Sequence, residues 1–521
     1  MRLELLSTRL WSRSRSGGAD KMNGLGFTFD SRFCSGCKAC QMACKDKHRL
    51  PVGVNWRRVY EISGGEWRRE GSAWVPDVYA YHLSVACNHC ALPVCLEVCP
   101  ASAIWQREDG IVLIDPDRCL GCGYCAWACP YGAPQIDLHQ GIMTKCTLCY
   151  DEIDQGRPPA CVAACPLRSL DYGRMEELEN RSCFTQAQVF PFPNPGLTEP
   201  VLFVQPHPTH ARRSALLVDP STGAGEDVRL VETHSESITR LAPLVGFTLL
   251  LQAAIGMVLF TALMSGLGMI FLRNTAWVGF GRAGFTPAVY LAWGALGVSF
   301  LHLGKPWRAF GALRNWRSSW LSRELLCAGG FALSVLGAAQ AVTRESGFLS
   351  AAVFPALMVT SGLLGLATLY SMVRVYAQRT VPGWRHTLPW LAFGPSPVLL
   401  GVPLAAAFML LQSPGLIMAA DPAGQLFRFG LEGAALTLLA ASAIVAATFG
   451  AQRGDTPSLR LDLFVGLFSI GAGFCINHLA KAANPPASGS LAAFSVLFGL
   501  AFLCLAEIGR RFDFYRARKG L

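Results

Sequence analysis

Residues 117–135 read DRCLGCGYCAWACPYGAPQ. Cys119, Cys122, Cys125 and Cys129 form a C-x2-C-x2-C-x3-C run closed by Pro130. The spacing matches the bacterial ferredoxin run, in which three thiolates hold one iron–sulfur cubane and the fourth crosses to another. The same spacing recurs at Cys34, Cys37, Cys40 and Cys44. Cys87, Cys90, Cys95 and Cys99 form a group with a wider middle step, and Cys146, Cys149, Cys161 and Cys165 one whose middle step spans eleven residues. Three groups end in Cys-Pro, at Pro100, Pro130 and Pro166.

A cubane presents its irons at tetrahedral corners, so three ligands can come from one tight turn while the fourth must arrive from elsewhere. Sixteen thiolates therefore support four 4Fe-4S clusters; spacing alone leaves open which groups exchange their fourth ligands. Structural zinc favours paired C-x2-C arms across a long gap, without a third cysteine two residues further on. Disulfides disagree with a reducing compartment. Clusters held close together by thiolates, with no open position, suit one-electron transfer and not substrate chemistry.

The rest of the chain is of another kind. Of 521 residues, 52% are hydrophobic and 15% charged, and sixteen of the 20 cysteines lie between Cys34 and Cys165. Beyond Leu241 come eight apolar runs, at about 241–268, 285–303, 321–341, 350–374, 388–411, 425–449, 461–481 and 490–508. Each is close to the ~20 residues that cross a hydrocarbon core as a helix, and 388–411 has no polar face at helical spacing. The expected fold is thus an α+β ferredoxin-like domain of two bacterial-type two-cluster units over 27–182, followed by an all-α bundle of eight transmembrane helices over 241–521. Residues 1–26 are expected to be a disordered tail, without an export signal and with Met22 as an alternative start. The proline-rich stretch 183–240 reads as a linker or docking extension. Cys183, Cys327, Cys475 and Cys504 read as ordinary buried small residues.

The 45 Lys and Arg exceed the 35 Asp and Glu, for a net charge of +10. In a membrane protein this excess reports loops held on one side, and no nucleic-acid partner is expected. With eight spans both termini share a side, where fourteen basic residues lie in loops against four opposite. The positive-inside rule places the cysteine domain on the cytoplasmic side of a bacterial inner membrane.

Four segments, SVACNHCALPVCLEVCPASA from Ser84, DRCLGCGYCAWACPYGAPQ from Asp117, MTKCTLCYDEI from Met143 and CVAACPLRSLDYG from Cys161, closely resemble the electron-transfer iron–sulfur subunit of bacterial dimethyl sulfoxide reductases. The likeness covers about 27–175. It implies exchange of fourth ligands between groups one and four and between groups two and three. Carried over, Cys34, Cys37, Cys40 and Cys165 hold one cluster, and Cys146, Cys149, Cys161 and Cys44 its neighbour. Cys87, Cys90, Cys95 and Cys129 hold a third, and Cys119, Cys122, Cys125 and Cys99 a fourth. In related nitrate reductase subunits the second cysteine of group three is a tryptophan and that cluster lacks an iron; here it is Cys122, which argues for four complete cubanes. HLGKPWRAF from His302 and SSWLSREL from Ser318 resemble the anchor subunit of the same enzymes, so the chain looks like a fusion of the two. The 183–240 connection has no counterpart in that resemblance.

Ionisable groups within spans are costly and invite a functional reading. His302 ends the second run and Glu324 begins the third, on the same expected side. Quinol oxidation needs proton acceptors, for which a histidine and a carboxylate are suited, and the resemblance places the quinol site here. The duller alternative is a capping His302 and an Arg323–Glu324 pair at the interface. Arg428 with Glu432, and His478, are second-tier polar residues. His302, His386 and His478 are too few and too dispersed for two bis-histidine haems, so no haem is expected. The expected function is oxidation of a membrane quinol, menaquinol or ubiquinol, with electrons passed through four clusters to a separate catalytic subunit. The resemblance implies that this partner carries a bis-molybdopterin guanine dinucleotide cofactor and reduces an S- or N-oxide. Two alternatives stand beside it: the anchor and wire of a related molybdoenzyme that reduces quinone, and a zinc-stabilised or redox-sensing module tethered to the membrane.

Overall fold

The computed structural model describes residues 24–180, 185–186, 192–208, 238–271, 276–343, 348–381, 384, 388–412 and, apart from 502 and 513, 499–515. The chain divides into two compact units that part between Ser235 and Glu236. The apolar runs 425–449 and 461–481, most of 490–508, and Cys183, His386, Arg428, Glu432, Cys475 and His478 lie outside the described residues.

In chain order the first unit has β1 (Leu25–Asp30), α1 (Ala39–Lys47), β2 (Arg58–Glu70), β3 (Ala73–Val85), α2 (Val94–Val98), β4 (Ile104–Gln106), β5 (Val112–Ile114) and α3 (Tyr124–Ala128). After these come β6 (Gln135–Asp137), β7 (Ile142–Thr144), α4 (Tyr150–Ile153), α5 (Ala160–Ala163), β8 (Leu170–Arg174), α6 (Met175–Glu179), β9 (Thr185–Gln186) and β10 (Leu202–Gln205). β1 is covered on both faces: Phe27 and Phe29 are buried on one, and Thr28 on the other. It pairs antiparallel with β8, Phe27 opposite Tyr172, and parallel with β10, Phe27 opposite Leu202. β9 adds antiparallel to β10. Part of the expected linker 183–240 is therefore built into the domain. Its proline spacing hid the buried Leu202-Phe203-Val204 run, which supplies β1 with its second partner.

The elements around the cysteines are short, as their Gly and Pro punctuation requires. α1 packs against α5, and α2 against α3, so helices from groups one and four meet, as do those from groups two and three. The two three-residue hairpins, β4–β5 and β6–β7, follow groups two and three. One element was not legible beforehand: β2 and β3 pair over thirteen residues each, around a turn with Gly71 at φ +63°. A two-residue turn that begins with glycine matches the right-handed twist of the strands. The root of this hairpin is core, with Ile62, Tyr81 and Leu83 buried, whereas Trp67 and Trp74 toward its tip are exposed. Adjacent charges Arg68, Arg69 and Glu70 break the alternation that would have revealed β2.

The second unit begins with α7 (Ile238–Phe271) and α8 (Ala276–Ser299), then two 3-10 helices at Phe300–His302 and Pro306–Leu313. α9 (Trp320–Thr343), α10 (Phe348–Tyr376), α11 (Leu388–Phe393) and α12 (Val402–Gln412) follow, with a π-helical turn at Pro397–Gly401 between the last two. Five segments are long and apolar enough to cross a membrane: Leu241–Ile270, Val278–His302, Trp320–Thr343, Val353–Tyr376 and Pro389–Met409. They coincide with the first five expected runs. The second helix starts nine residues before the expected 285 because Arg282, which interrupts the uncharged stretch, does not interrupt the helix. Residues 499–501 and 503–512 are also helical. The count of eight spans rests on the sequence for the remainder. Cys327 and Cys504 are only half-buried, a departure from the expected full burial.

Without a hydrophobic driving force between them, helices in lipid associate through close packing of small residues. The first and fifth spans show this, since a Cβ on Gly256 would meet the Pro397 carbonyl and one on Gly401 would meet the backbone of Ala253, Gly256 and Met257. Backbone cannot swing aside as a side chain can. Gly401→Ala is therefore expected to destabilise the bundle by about 1–3 kcal/mol, the usual cost of overpacking, read as a lower unfolding midpoint of the detergent-solubilised protein.

Candidate iron–sulfur centres and membrane site

The backbone treats the four cysteine groups alike despite their unlike sequences. In each, the residue before the second cysteine lies in the left-handed region: Gly36 at φ +70°, His89 at +41°, Gly121 at +69° and Leu148 at +56°. A glycine takes this conformation freely, whereas histidine and leucine are strained there. After the three Cys-Pro pairs a second left-handed residue recurs, Ser102, Gly132 and Arg168. In each of those turns its N–H donates to the carbonyl of the group's last cysteine. The turns aim amides at sulfur: Ala103 N–H donates to Cys99 Sγ at 3.3 Å, and Cys165 takes hydrogen bonds from Leu167, Ser169 and Leu170 amides and from the Ser169 hydroxyl. Successive amides turned toward one point form the anion-binding concavities used at iron–sulfur sites.

Three cavities follow. Cys34, Cys37, Cys40 and Cys165 line one of about 340 Å³, open mouth included. Cys87, Cys90, Cys95 and Cys129 line one of about 390 Å³, and Cys99, Cys119, Cys122 and Cys125 one of about 330 Å³. Each has three cysteines from one group and the last cysteine of another. The remaining four also gather: Cys44 has Cys149 and Cys161 within electrostatic reach, and Cys146 has Cys44 and Cys161. Among the described residues no three His, Cys, Asp or Glu side chains converge where a single metal ion could sit. The thiols bound spaces larger than one ion, which fits a polynuclear cluster.

Electrostatic reach links the sets in turn. Cys40 of the first is within reach of Cys161 in the second, Cys146 of the second within reach of Cys87 in the third, and Cys95 of the third within reach of Cys125 in the fourth. Burial raises the thiol pKa to about 12 at Cys44 and Cys122. Cys165 moves the other way: burial opposes the thiolate, but the donors around it prevail. A bound metal displaces thiol protons outright, so loading these sites releases protons.

Buried donors surround the sulfurs, and these the sequence did not disclose. Lys145, immediately before Cys146, is buried, with its ammonium donating to the carbonyls of Val112 and Cys146. His89 Nδ1 accepts the Val112 N–H at 3.1 Å. Its proton is therefore on Nε2, a buried donor with no hydrogen-bond partner. The imidazole is held neutral by burial and by Lys145 and Arg57, which push its pKa well below the ordinary value. His48 Nε2 lies 3.3 Å from Cys149 Sγ. Arg57, before β2, is buried as well. The signal was available, since Lys145 and His89 sit inside the cysteine motifs, but charge next to a cysteine in sequence says nothing of which sulfur it faces.

In the second unit, His302 closes the 3-10 turn that ends the second span, and its Nδ1 has no hydrogen-bond partner. Glu324 lies one turn into α9; it is only 2% exposed, and its Oε1 also lacks a partner. The turn bearing His302 packs against α7, α8 and the Pro306–Leu313 helix, which in turn packs against α9. Ser322 fastens that junction by donating to the Ala312 carbonyl at 2.5 Å. Both residues thus flank one segment. Arg323 points elsewhere: it donates to the carbonyls of Trp316 at 3.0 Å and Arg317 at 2.7 Å, with its guanidinium over the Trp320 ring. Glu324 instead acts on the phenols of Tyr376 and Tyr515, whose hydroxyls are 3.0 Å apart. Trp307, Phe310 and Trp316 are exposed around this end, as aromatic residues are at a membrane interface.

Comparison with known proteins agrees with both halves. A family model described as a 4Fe-4S dicluster domain matches residues 78–175, and one described as the DMSO reductase anchor subunit (DmsC) matches 238–449. The protein is 47% identical over 182 residues to the B subunit of the anaerobic dimethyl sulfoxide reductase of Escherichia coli, covering 35% of this chain and 88% of that one. It is 46% identical over 187 residues to the Haemophilus influenzae protein of the same name, covering 36% and 91%. To the formate dehydrogenase iron–sulfur subunit of Wolinella succinogenes it is 37% identical over 174 residues, covering 29% and 82%. With its thiol-lined cavities, its apolar helices and these likenesses together, the chain belongs to the dimethyl sulfoxide reductase iron–sulfur family, with the anchor domain carried in the same polypeptide.

Proposed function

We propose that this protein oxidises a membrane quinol, menaquinol or ubiquinol, and passes the electrons singly through four 4Fe-4S clusters to a separate molybdopterin-containing catalytic subunit of the dimethyl sulfoxide reductase type. The gathering of sixteen cysteines into four adjoining sets of four carries this reading. When bound, each cluster supplies a reversible one-electron centre. The chain's part is to hold them in sequence: Cys34, Cys37, Cys40 and Cys165; Cys44, Cys146, Cys149 and Cys161; Cys87, Cys90, Cys95 and Cys129; Cys99, Cys119, Cys122 and Cys125. Burial and amide donors then set the electrostatics at each sulfur.

A quinol gives up two protons with its two electrons, so its site must accept both. His302 takes a hydroxyl proton on a ring nitrogen, and the Glu324 carboxylate takes or relays the other. Both offer buried polar atoms without hydrogen-bond partners, where a ligand's hydroxyls would restore the lost hydrogen bonding. The excess of basic loop residues supports a cytoplasmic side for the cysteine domain at a bacterial inner membrane. The formate dehydrogenase and sulfite dehydrogenase relatives favour a second reading, with electrons flowing toward quinone. Midpoint potentials of the clusters, measured against the quinone pool, distinguish the two.

The test is anaerobic purification of the full chain with whatever subunit accompanies it. About sixteen irons per chain, from four cubanes, and reducible paramagnetic signals that oxidise or reduce with quinol or quinone are expected. A colourless preparation loaded with zinc, or one far below that iron content after reconstitution, overturns the proposal.

A further inference from the structure

Arg57 is out of place by ordinary rules. It is 2% exposed, and a guanidinium taken into a core without an anionic partner is strongly unfavourable. The groups acting on its charge are sulfurs on two sides: Cys40 from the first set, and Cys44, Cys146 and Cys161 from the second. Its Nη1 donates to Ser84 Oγ at 3.0 Å, and that hydroxyl is 3.5 Å from Cys40 Sγ. Its own backbone N–H donates to Cys44. The guanidinium carbon lies 4.4 Å from the centre of the Phe27 ring, a cation–π contact. Nε and Nη2 have no hydrogen-bond partner. A permanent cation with two unused donors, within reach of thiols of two sets, is suited to anionic sulfur.

We propose that Arg57 is a positioning residue for electron transfer, whose guanidinium donates to the sulfur of the first and second centres and keeps their reduction potentials up. The proposal rests on the reading of these two thiol sets as cluster ligands. Reduction of either centre adds one electron and no proton, so the product carries one more negative charge beside a fixed positive one. Hydrogen bonds to sulfur and net charge are the levers by which a protein sets such potentials. A buried cation is screened little by salt, so the effect persists at high ionic strength.

The experiment is a redox titration of the full chain with its accompanying subunit, followed by electron paramagnetic resonance, for wild type, Arg57→Met and Arg57→Lys. In Arg57→Met, with wild-type iron content, one or two components are expected to titrate at lower potential while the rest stay in place. Arg57→Lys, which keeps the charge but not the fork, is expected to show a smaller shift in the same components. Unmoved potentials at full iron content in Arg57→Met overturn the proposal. Should Arg57→Met lose iron, Arg57→Lys decides: iron retained with a downward shift supports it, and either iron retained without a shift or iron lost overturns it, leaving Arg57 a residue of the fold alone. Wild-type material without cluster signals is a separate failure, of the cluster reading itself.

Discussion

Glutamine in place of Glu324 is expected to cut quinol oxidation by about 10²–10⁴-fold, the range carried by a positioned acid–base group. The amide keeps the size of the carboxylate and a carbonyl acceptor, but cannot take up a proton. Glu324 is buried in α9 with an oxygen unsatisfied, and wild-type iron content and membrane yield in the variant identify the loss as chemical. His302→Asn should fall in the same range, since Asn keeps a donor and an acceptor without basicity. In both variants iron content should equal wild type, and electrons supplied to the clusters by a soluble reductant should still reach the catalytic subunit. Full retained quinol turnover in both would end the assignment of the membrane site while leaving the cysteine domain untouched.

Cys146→Ser is expected to abolish quinol-linked turnover altogether. Cys146 is a member of the second thiol set and lies within electrostatic reach of Cys87 in the third. Losing that centre removes about four irons and breaks the link from the first set to the third through Cys40, Cys161, Cys146 and Cys87. The contrast with Glu324→Gln is diagnostic. There the soluble reductant bypasses the defect; in Cys146→Ser, electrons entering on the quinol side are stopped short of the partner whatever their source. Wild-type turnover with an iron deficit would mean that the order of the sets is wrong.

The cysteine spacing already contained most of the metal-binding architecture, because a ligand run that wraps a cluster is local in sequence. The exchange of fourth ligands is not local, and only the family resemblance suggested it; the cavities lined by Cys165 with group one and by Cys129 with group two have the composition it implies. Apolar length gave the first five spans for a similar reason: a helix in lipid must be apolar over its whole crossing. Interruptions were illegible. Pro395 and Pro397 divide the fifth span around a π turn, yet 388–411 reads as one run. Arg57, His89 and Lys145 were missed because burial of a polar group is decided by what folds over it. The β2–β3 hairpin was missed because its outer half buries nothing, so alternation there has no cause.

The place of β10 governs how the two halves can be handled apart. Any soluble version of the metal-binding half must extend through Gln205, since stopping after the last cysteine group strips β1 of its parallel neighbour and leaves backbone donors and acceptors bare along a strand lined with Phe27 and Phe29. Such a raw edge invites a second molecule to add its own strand. Aggregation of a fragment trimmed too tightly would then say nothing about whether the cofactors can assemble without the lipid-embedded half.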